Sequence, residues 1–127
     1  MKEKEITVLM VAPGEPPKVV KIKDDLDSLQ KAVSIGADYQ GLIEFVGLRN
    51  GDCIMCNEEG KLIGLEGNRR LGDDILVGVF YIMSENEDGE LISLTDRKIK
   101  HYTNVFWEPE TFDREEIEST IYGRFYY

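Results

Sequence analysis

The sequence has few of the residues on which most catalytic and metal sites depend. Its 127 residues include one histidine, two cysteines and one tryptophan. A structural zinc site built from two cysteine pairs is therefore excluded. The signatures Gly-x-x-x-x-Gly-Lys and Gly-x-Gly-x-x-Gly, which mark many nucleotide sites, do not occur, and neither does a calcium-binding Asp-x-Asp-x-Asp-Gly loop. We expect no metal, no cofactor and no set of catalytic residues.

Long apolar runs are also missing. No stretch approaches the ~18 consecutive apolar residues of a membrane span. The first ten residues lack the apolar core and the small-residue cleavage site of a signal peptide. We therefore expect a cytoplasmic protein without membrane contact, in which Cys53 and Cys56 remain thiols.

The chain has a strong excess of acidic residues. Twenty-five Asp and Glu against 15 Lys and Arg give a formal charge of −10. Residues 1–23 hold five lysines and three glutamates, hence +2, so the remaining 104 residues carry −12. Such a field repels nucleic-acid phosphates and favours a basic protein partner, although solubility alone is the simpler explanation. We expect no direct binding of nucleic acid.

Length and pattern predict a single α+β domain over residues 1–127. We expect a mostly antiparallel or mixed sheet of about five to six strands with two to three helices. The β-prone runs 6–12 and 19–22 flank a proline-rich turn and predict a hairpin. Asn50-Gly51 predicts a second hairpin, between strands 41–48 and 52–56.

Two further strands are predicted after this hairpin. A polar turn at 57–60 leads into 61–65, which is read as the next strand of an antiparallel meander. The strongest apolar run, 74–83, is read as one central strand covered on both faces.

Three helices are predicted from apolar spacing and capping residues. The first begins at Asp24-Asp25 and ends at Gly36, the second begins at residues 93–96, and the third begins near Asp113 and opens a helical and aromatic C-terminal extension at about 110–127. Their predicted buried residues are Leu26, Leu29, Ala32 and Val33, then Ile99, Tyr102 and Phe106, then Ile117 and Ile121.

The residues Asn68, Arg69 and Arg70 form the most interesting local exception to the acidic surface. Adjacent guanidinium groups at a glycine-containing corner can hold a phosphate or carboxylate, so these three are the candidate ligand-binding residues. The alternative is an internal ion pair with Asp73, Asp74 or the acidic turn that follows.

The Cys53-x-x-Cys56 spacing resembles a zinc or redox motif. In a strand, however, residues three apart point to opposite faces and cannot share a metal ion. We therefore interpret both as small buried or edge thiols, and His101 as a solvated helix residue.

Two segments are candidate protein-interaction surfaces. The first is the acidic turn and the second is the terminal aromatic cluster, which completes the core or a homodimer contact. Their residues are Glu85, Glu87, Asp88 and Glu90, and Phe125, Tyr126 and Tyr127. Both a monomer and a homodimer fit the pattern.

Several segments together carry a resemblance to a known family. They are Val11–Pro16, Asp25–Val33, Cys56–Leu65 with Asn68-Arg69, Ile75–Phe80 and Ser93–Asp96, and they span residues 6 to about 107. In these segments the chain resembles an uncharacterised domain-of-unknown-function family of bacterial phages, plasmids and conjugative elements. The resemblance implies a mobile-element accessory protein, with no activity or catalytic residues to carry over. By association, the resemblance also implies a gene neighbourhood of antirestriction and transfer genes.

The function that we expect is therefore binding and not catalysis. The leading hypothesis is an accessory protein that contacts a protein partner through an acidic surface, in the manner of antirestriction or host-defence charge mimicry. The alternative is a small anionic ligand or nucleotide-binding module that uses Asn68, Arg69 and Arg70.

Overall fold

The computed structural model describes residues 4–125, with side chains described for residues 4–121. Within that range the chain forms eight β-strands and three α-helices. The strands are β1 (Glu5–Val11), β2 (Lys18–Lys23), β3 (Ile43–Gly47), β4 (Asp52–Asn57), β5 (Gly67–Leu71), β6 (Asp74–Val77), β7 (Phe80–Glu85) and β8 (Leu91–Ile92). The helices are α1 (Leu26–Val33), α2 (Asp96–Val105) and α3 (Arg114–Phe125).

The strands form one large sheet and one small one. The large sheet has the order β2-β1-β7-β4-β3, with β8 paired to the end of β7, and β5 and β6 form a separate two-stranded sheet. All described pairings are antiparallel. The prediction of an α+β domain with a mostly antiparallel sheet of five to six strands and two to three helices is confirmed.

Both faces of the large sheet are covered, because its strands alternate apolar side chains to either side. One face packs against α1 and includes Val8, Met55 and Tyr81. The other packs against α2 and β6 and includes Leu9, Ile54 and Phe80, whose ring meets that of Phe106 edge-on. A third, smaller cluster under α3 contains Leu65, Ile75, Val77 and Ile117.

Local sequence signals place the helix starts correctly. Asp25 accepts a hydrogen bond from the backbone N–H of Ser28 at 2.7 Å, and Thr95 accepts one from Lys98 at 3.3 Å. Asp113 and Glu116 form a reciprocal capping box at the start of α3. The prediction that Leu26 is buried was wrong, because this first residue of α1 points outward and is 67% exposed.

The predicted long strand at 74–83 was wrong, because the structure divides it into β6 and β7. Gly78 lies between them with φ +69°, a left-handed conformation that breaks the extended chain. As a result β6 leaves the large sheet and pairs with β5, while β7 becomes the central strand.

The predicted strand at 61–65 was also wrong. Residues 58–64 form consecutive turns, in which Ile63 N–H donates to Glu59 O, and Leu65 N–H, just after them, donates to Gly60 O. Gly64 adopts φ +78° within this segment. The next strand is β5, so Asn68, Arg69 and Arg70 lie in a strand and not at a corner.

The predicted hairpin at Asn50-Gly51 is confirmed, but its loop has three residues instead of two. Arg49–Gly51 form a 3₁₀ turn that the Leu48 N–H closes by donating to Asp52 O, and Asn50 and Gly51 have positive φ of 65° and 77°. The turn joins β3 to β4, so Glu44 on β3 lies directly opposite Cys56 on β4.

Candidate functional site

Asn68 and Arg69, two of the three candidate ligand-binding residues, have buried side chains. The amide nitrogen of Asn68 donates to the carbonyls of Val11 and Gly78, both at 2.8 Å. These bonds fasten β5 to β1 and to the break between β6 and β7. The Asn68 side chain therefore acts inside the fold.

The Arg69 guanidinium is 1% exposed and donates only to oxygens of the chain itself. Its Nε donates to Phe106 O at 3.0 Å, Nη1 to Asn68 O and Oδ1 at 3.1 and 2.8 Å, and Nη2 to Glu15 O at 2.6 Å. Burial lowers the pKa of this guanidinium from its ordinary value. Arg69 joins the first hairpin loop, β5 and the end of α2.

Arg70 is the exposed member of the three. Its guanidinium lies 3.5 Å from the Glu116 carboxylate and 5.3 Å from the centre of the Phe112 ring, and its backbone N–H donates to Glu110. The structure therefore does not bring Asn68, Arg69 and Arg70 together on one surface. Arg70 pairs with Glu116 and not with Asp73 or Asp74.

The predicted acidic turn joins β7 to β8 and is built around Asn86. The Asn86 side-chain oxygen accepts hydrogen bonds from the backbone N–H groups of Asp88 and Glu90. Glu85, Glu87, Asp88 and Glu90 are all exposed. We call these four residues the acidic turn.

A larger concentration of carboxylates follows α2. Between residues 108 and 118, six carboxylates stand against one arginine, and all seven side chains are exposed. We call these carboxylates the acidic face; they are Glu108, Glu110, Asp113, Glu115, Glu116 and Glu118. Glu116 and Glu118 pair with Arg70 and Arg114, whereas Glu108 and Glu115 have no partner among the described residues.

The predicted aromatic contact surface is formed by Phe125, Tyr126 and Tyr127 at the end of the sequence. Phe125 ends α3, but its side chain lies outside the described residues, and so do Tyr126 and Tyr127. Their predicted role in a core or homodimer contact therefore stays a prediction.

The two cysteines lie on opposite faces of the large sheet, as the alternation of side chains in a strand predicts. Cys53 packs under α1, and burial raises its pKa to about 11. Cys56 packs on the other face, near the Glu44 carboxylate. Among the described residues no group of three or more His, Cys, Asp or Glu side chains is arranged to hold a metal ion.

Asp52, at the start of β4, is a buried carboxylate that the sequence analysis did not identify. It is 4% exposed and accepts hydrogen bonds from Ser84 Oγ at 2.7 Å, Lys98 Nζ at 2.7 Å and Tyr102 Oη at 2.6 Å. Lys98 and Tyr102 are four residues apart on α2 and so share a face. The network fastens α2 to the large sheet. Exposed His101 lines a surface cleft together with Asp52, Lys98 and Tyr102.

Hydrogen bonding decides the pKa of Asp52. Burial raises this pKa, but the hydrogen bonds from Lys98, Tyr102 and Ser84 outweigh burial, so the net effect is a pKa below the ordinary 3.8. Burial and the Asp52 carboxylate both raise the pKa of Tyr102. The tyrosine therefore stays a hydrogen-bond donor.

Asp52→Asn should make the free energy of unfolding less dependent on pH in acid. Because the folded-state pKa of Asp52 is depressed, its contribution is present above the unfolded-state pKa and is lost as pH falls through the folded-state pKa. We expect the wild-type chain to lose stability between about pH 5 and pH 2 more steeply than the variant. Urea unfolding at several pH values measures this difference.

The control for this measurement is Asp73→Asn, which changes an exposed carboxylate without a partner in the described part of the chain. Its curve should run parallel to that of the wild-type protein. A parallel curve for Asp52→Asn as well would contradict the assignment.

A cavity of about 140 Å³ lies between the edge of the large sheet, β6 and α3. We call it the α3 cavity. Its apolar wall includes Ile75, Val77 and Ile121, and its polar wall includes Glu44, Cys56, Glu58 and the Lys61–Asp74 ion pair. Cross-strand pairing places Glu44 beside Cys56, whose Sγ lies 3.9 Å from Glu44 Oε1.

The residues of the α3 cavity come from four separate segments, so no local sequence pattern groups them. Their alternation within β3 and β4 is readable from the sequence, but their approach to β6 and α3 depends on the break at Gly78. The spacing of Lys98 and Tyr102 was the only local signal for the Asp52 network.

These features define a single α+β domain with an antiparallel sheet, a separate small sheet and an acidic C-terminal helical segment. The chain belongs to DUF3846, a family described as a domain of unknown function, whose sequence profile matches residues 6–106. The predicted resemblance to a domain of unknown function is confirmed at that level. No curated protein and no solved structure matches the chain.

The matched region ends just before the acidic face begins at Glu108. The domain shared with the family and the acidic face are thus consecutive parts of the chain. None of the helices between residues 4 and 125 combines the length and the apolar character needed to cross a bilayer.

Proposed function

We propose that the protein is a non-catalytic binding protein that contacts a basic partner protein through its acidic face. The observation that carries the proposal is the concentration of six exposed carboxylates against one arginine between residues 108 and 118. Unpaired surface carboxylates attract a basic surface and accelerate its encounter with the protein.

The charge density of α3 supports a finer proposal, in which the acidic face imitates DNA. Glu115, Glu116 and Glu118 fall within about 4.5 Å of helix rise. One DNA strand carries a phosphate roughly every 3.4 Å, so the two densities are comparable. Arg70 and Arg114 reduce the effective charge by pairing with two of the carboxylates.

The partner in this proposal is a nucleic-acid-binding protein. A mobile-element accessory protein that acts against restriction or host defence would use the surface in this way, and the family resemblance is what suggests that setting. We place the interaction in the cytoplasm, where Cys53 and Cys56 would remain thiols.

The acidic face is tested with two variants of equal net charge. The first carries Glu108→Lys and Glu115→Lys in the acidic face, and the second carries Glu87→Lys and Asp88→Lys in the acidic turn. All four residues are exposed, and none of the four side chains has a partner among the described residues. The pair therefore separates a local surface from the charge of the whole protein.

We expect the wild-type protein and the acidic-turn variant to retain the same protein from a bacterial lysate, and the acidic-face variant to lose it. The retained protein should be released by raised salt, because exposed charges are screened, and by duplex DNA, because DNA competes for the same surface. Mass spectrometry identifies what is retained and released. Equal retention by both variants would contradict the proposal, and resistance to duplex DNA would contradict the imitation of DNA.

The alternative function, anionic ligand binding at Asn68, Arg69 and Arg70, has weaker support. Two of the three side chains are buried and donate to the chain itself. An anion at Arg70 would compete with Glu116, which already lies beside the guanidinium. If the alternative holds, inorganic phosphate should raise the melting temperature of the wild-type protein but not that of Arg70→Ala.

A further inference from the structure

The α3 cavity combines an apolar wall with two carboxylates, those of Glu44 and Glu58, that form no ion pair within the described part of the chain. Three carboxylates, those of Glu44, Glu58 and Asp74, line it together with one ammonium group, that of Lys61. Lys61 pairs with Asp74. Glu44 and Glu58 take part in no ion pair within the described residues, and the Glu44 contact with the Cys56 thiol is a weak hydrogen bond.

This arrangement is complementary to a cation with an apolar stem. Ile75, Val77 and Ile121 can cover methylene groups, whereas an ammonium or guanidinium group can donate to Glu44 and Glu58. An anion would meet two unpaired carboxylates, and a purely apolar ligand would leave them desolvated without a partner. Because of the negative charge of its lining, the cavity therefore favours a cationic ligand.

We propose that the α3 cavity binds a primary ammonium or guanidinium group carried on a short aliphatic stem. Its volume of about 140 Å³ is close to that of cavities that accept a small organic molecule. Two sources supply this chemistry, a free alkylamine or the side chain of a lysine or arginine in another protein. The proposal does not depend on the acidic face, since the cavity lies on β3, β4, β6 and the later part of α3.

The test is a titration of the full-length protein with n-butylammonium, followed by the backbone amide signals in NMR spectra. Saturable shifts are expected at residues 56–61 and 74–77, which line or adjoin the cavity. The neutral isostere n-butanol should give at least about tenfold weaker binding, because it lacks the charge-assisted hydrogen bonds. A short peptide with one central lysine, titrated in parallel, distinguishes a side-chain ligand from a free amine.

The matched variant is Glu44→Gln with Glu58→Gln, which keeps the shape of both side chains and removes their charge. It should bind n-butylammonium at least about tenfold more weakly while the butanol titration stays unchanged. Circular dichroism shows whether the variant is folded. If it is not, each single substitution is titrated in its place.

The reactivity of the two thiols shows independently where n-butylammonium binds. n-Butylammonium should slow alkylation of Cys56 by iodoacetamide and leave Cys53 unaffected, because Cys53 lies on the opposite face of the sheet. Absence of saturable shifts with both the amine and the peptide would overturn the proposal. Equal binding of n-butylammonium and n-butanol would overturn it as well, since the cavity would then recognise only apolar volume.

Discussion

Arg69→Ala is expected to lower the free energy of unfolding by about 3 to 5 kcal/mol. The substitution empties a buried site and removes donors from the carbonyls of Glu15, Asn68 and Phe106. A buried carbonyl without a donor costs about 1 to 3 kcal/mol, and the lost volume adds to this. Urea unfolding followed by circular dichroism measures the change.

The adjacent Arg70→Ala is the matched control. Arg70 is exposed, and its contact with Glu116 is a surface ion pair, so the loss should stay below about 1 kcal/mol. Similar small losses for both variants would show that Arg69 is not needed inside the fold. In that case Arg69 would again be a candidate for ligand binding, together with Arg70.

Gly78→Ala is expected to cost about 2 to 4 kcal/mol of unfolding free energy. The φ of +69° at this position disfavours any residue with a Cβ, and an added Cβ would stand 2.8 Å from Leu65 Cδ1. Leu65 is buried in the cluster under α3, so it has little room to yield. Thermal and urea unfolding measure the loss.

Gly72→Ala measures separately how much unfolding free energy is lost because alanine disfavours a positive φ. Gly72 has a similar φ of +60°, but an added Cβ would meet nothing within 4 Å. We expect about 1 to 2 kcal/mol from the conformation alone. If both variants lose the same stability, Leu65 moves aside and the contact contributes nothing.

Features of the fold that depend on neighbouring residues could be predicted from the sequence. The caps at Asp25 and Asp113, the Asn50-Gly51 turn and the two faces of the Cys53–Cys56 strand all follow from rules that act over a few residues. In the structure, each of these features lies at the residues that predicted it.

The two strand predictions that were wrong, 61–65 and 74–83, show that such short-range rules do not predict features that depend on distant residues. The run 74–83 is apolar after Asp74 except at Gly78, and a single glycine within a strand pattern does not decide between one long strand and two strands that serve different sheets. The break at Gly78 becomes visible only when Asn68 donates to its carbonyl and Leu65 packs against it. Both partners lie at least ten residues away in the chain.

The candidate sites were less predictable than the fold for the same reason. Arg69 has the sequence context of a surface arginine, but its acceptors come from the first hairpin loop and the end of α2. The α3 cavity likewise needs β3, β4, β6 and α3 in place before Glu44 and Ile121 can line one space. The type of a residue suggests which ligand its side chain could bind. Long-range packing decides whether that side chain is exposed to solvent and ligand or is buried, as the side chain of Arg69 is.

The edge position of β2 has a consequence for how the protein behaves at high concentration. Lys18 and Lys21 are exposed along this outer strand of the large sheet. A second molecule that added its own β2 there would bring two rows of ammonium groups together, and their repulsion opposes sheet extension. Growth of the sheet into fibres or amorphous aggregates is therefore disfavoured on the side where the N-terminal hairpin ends.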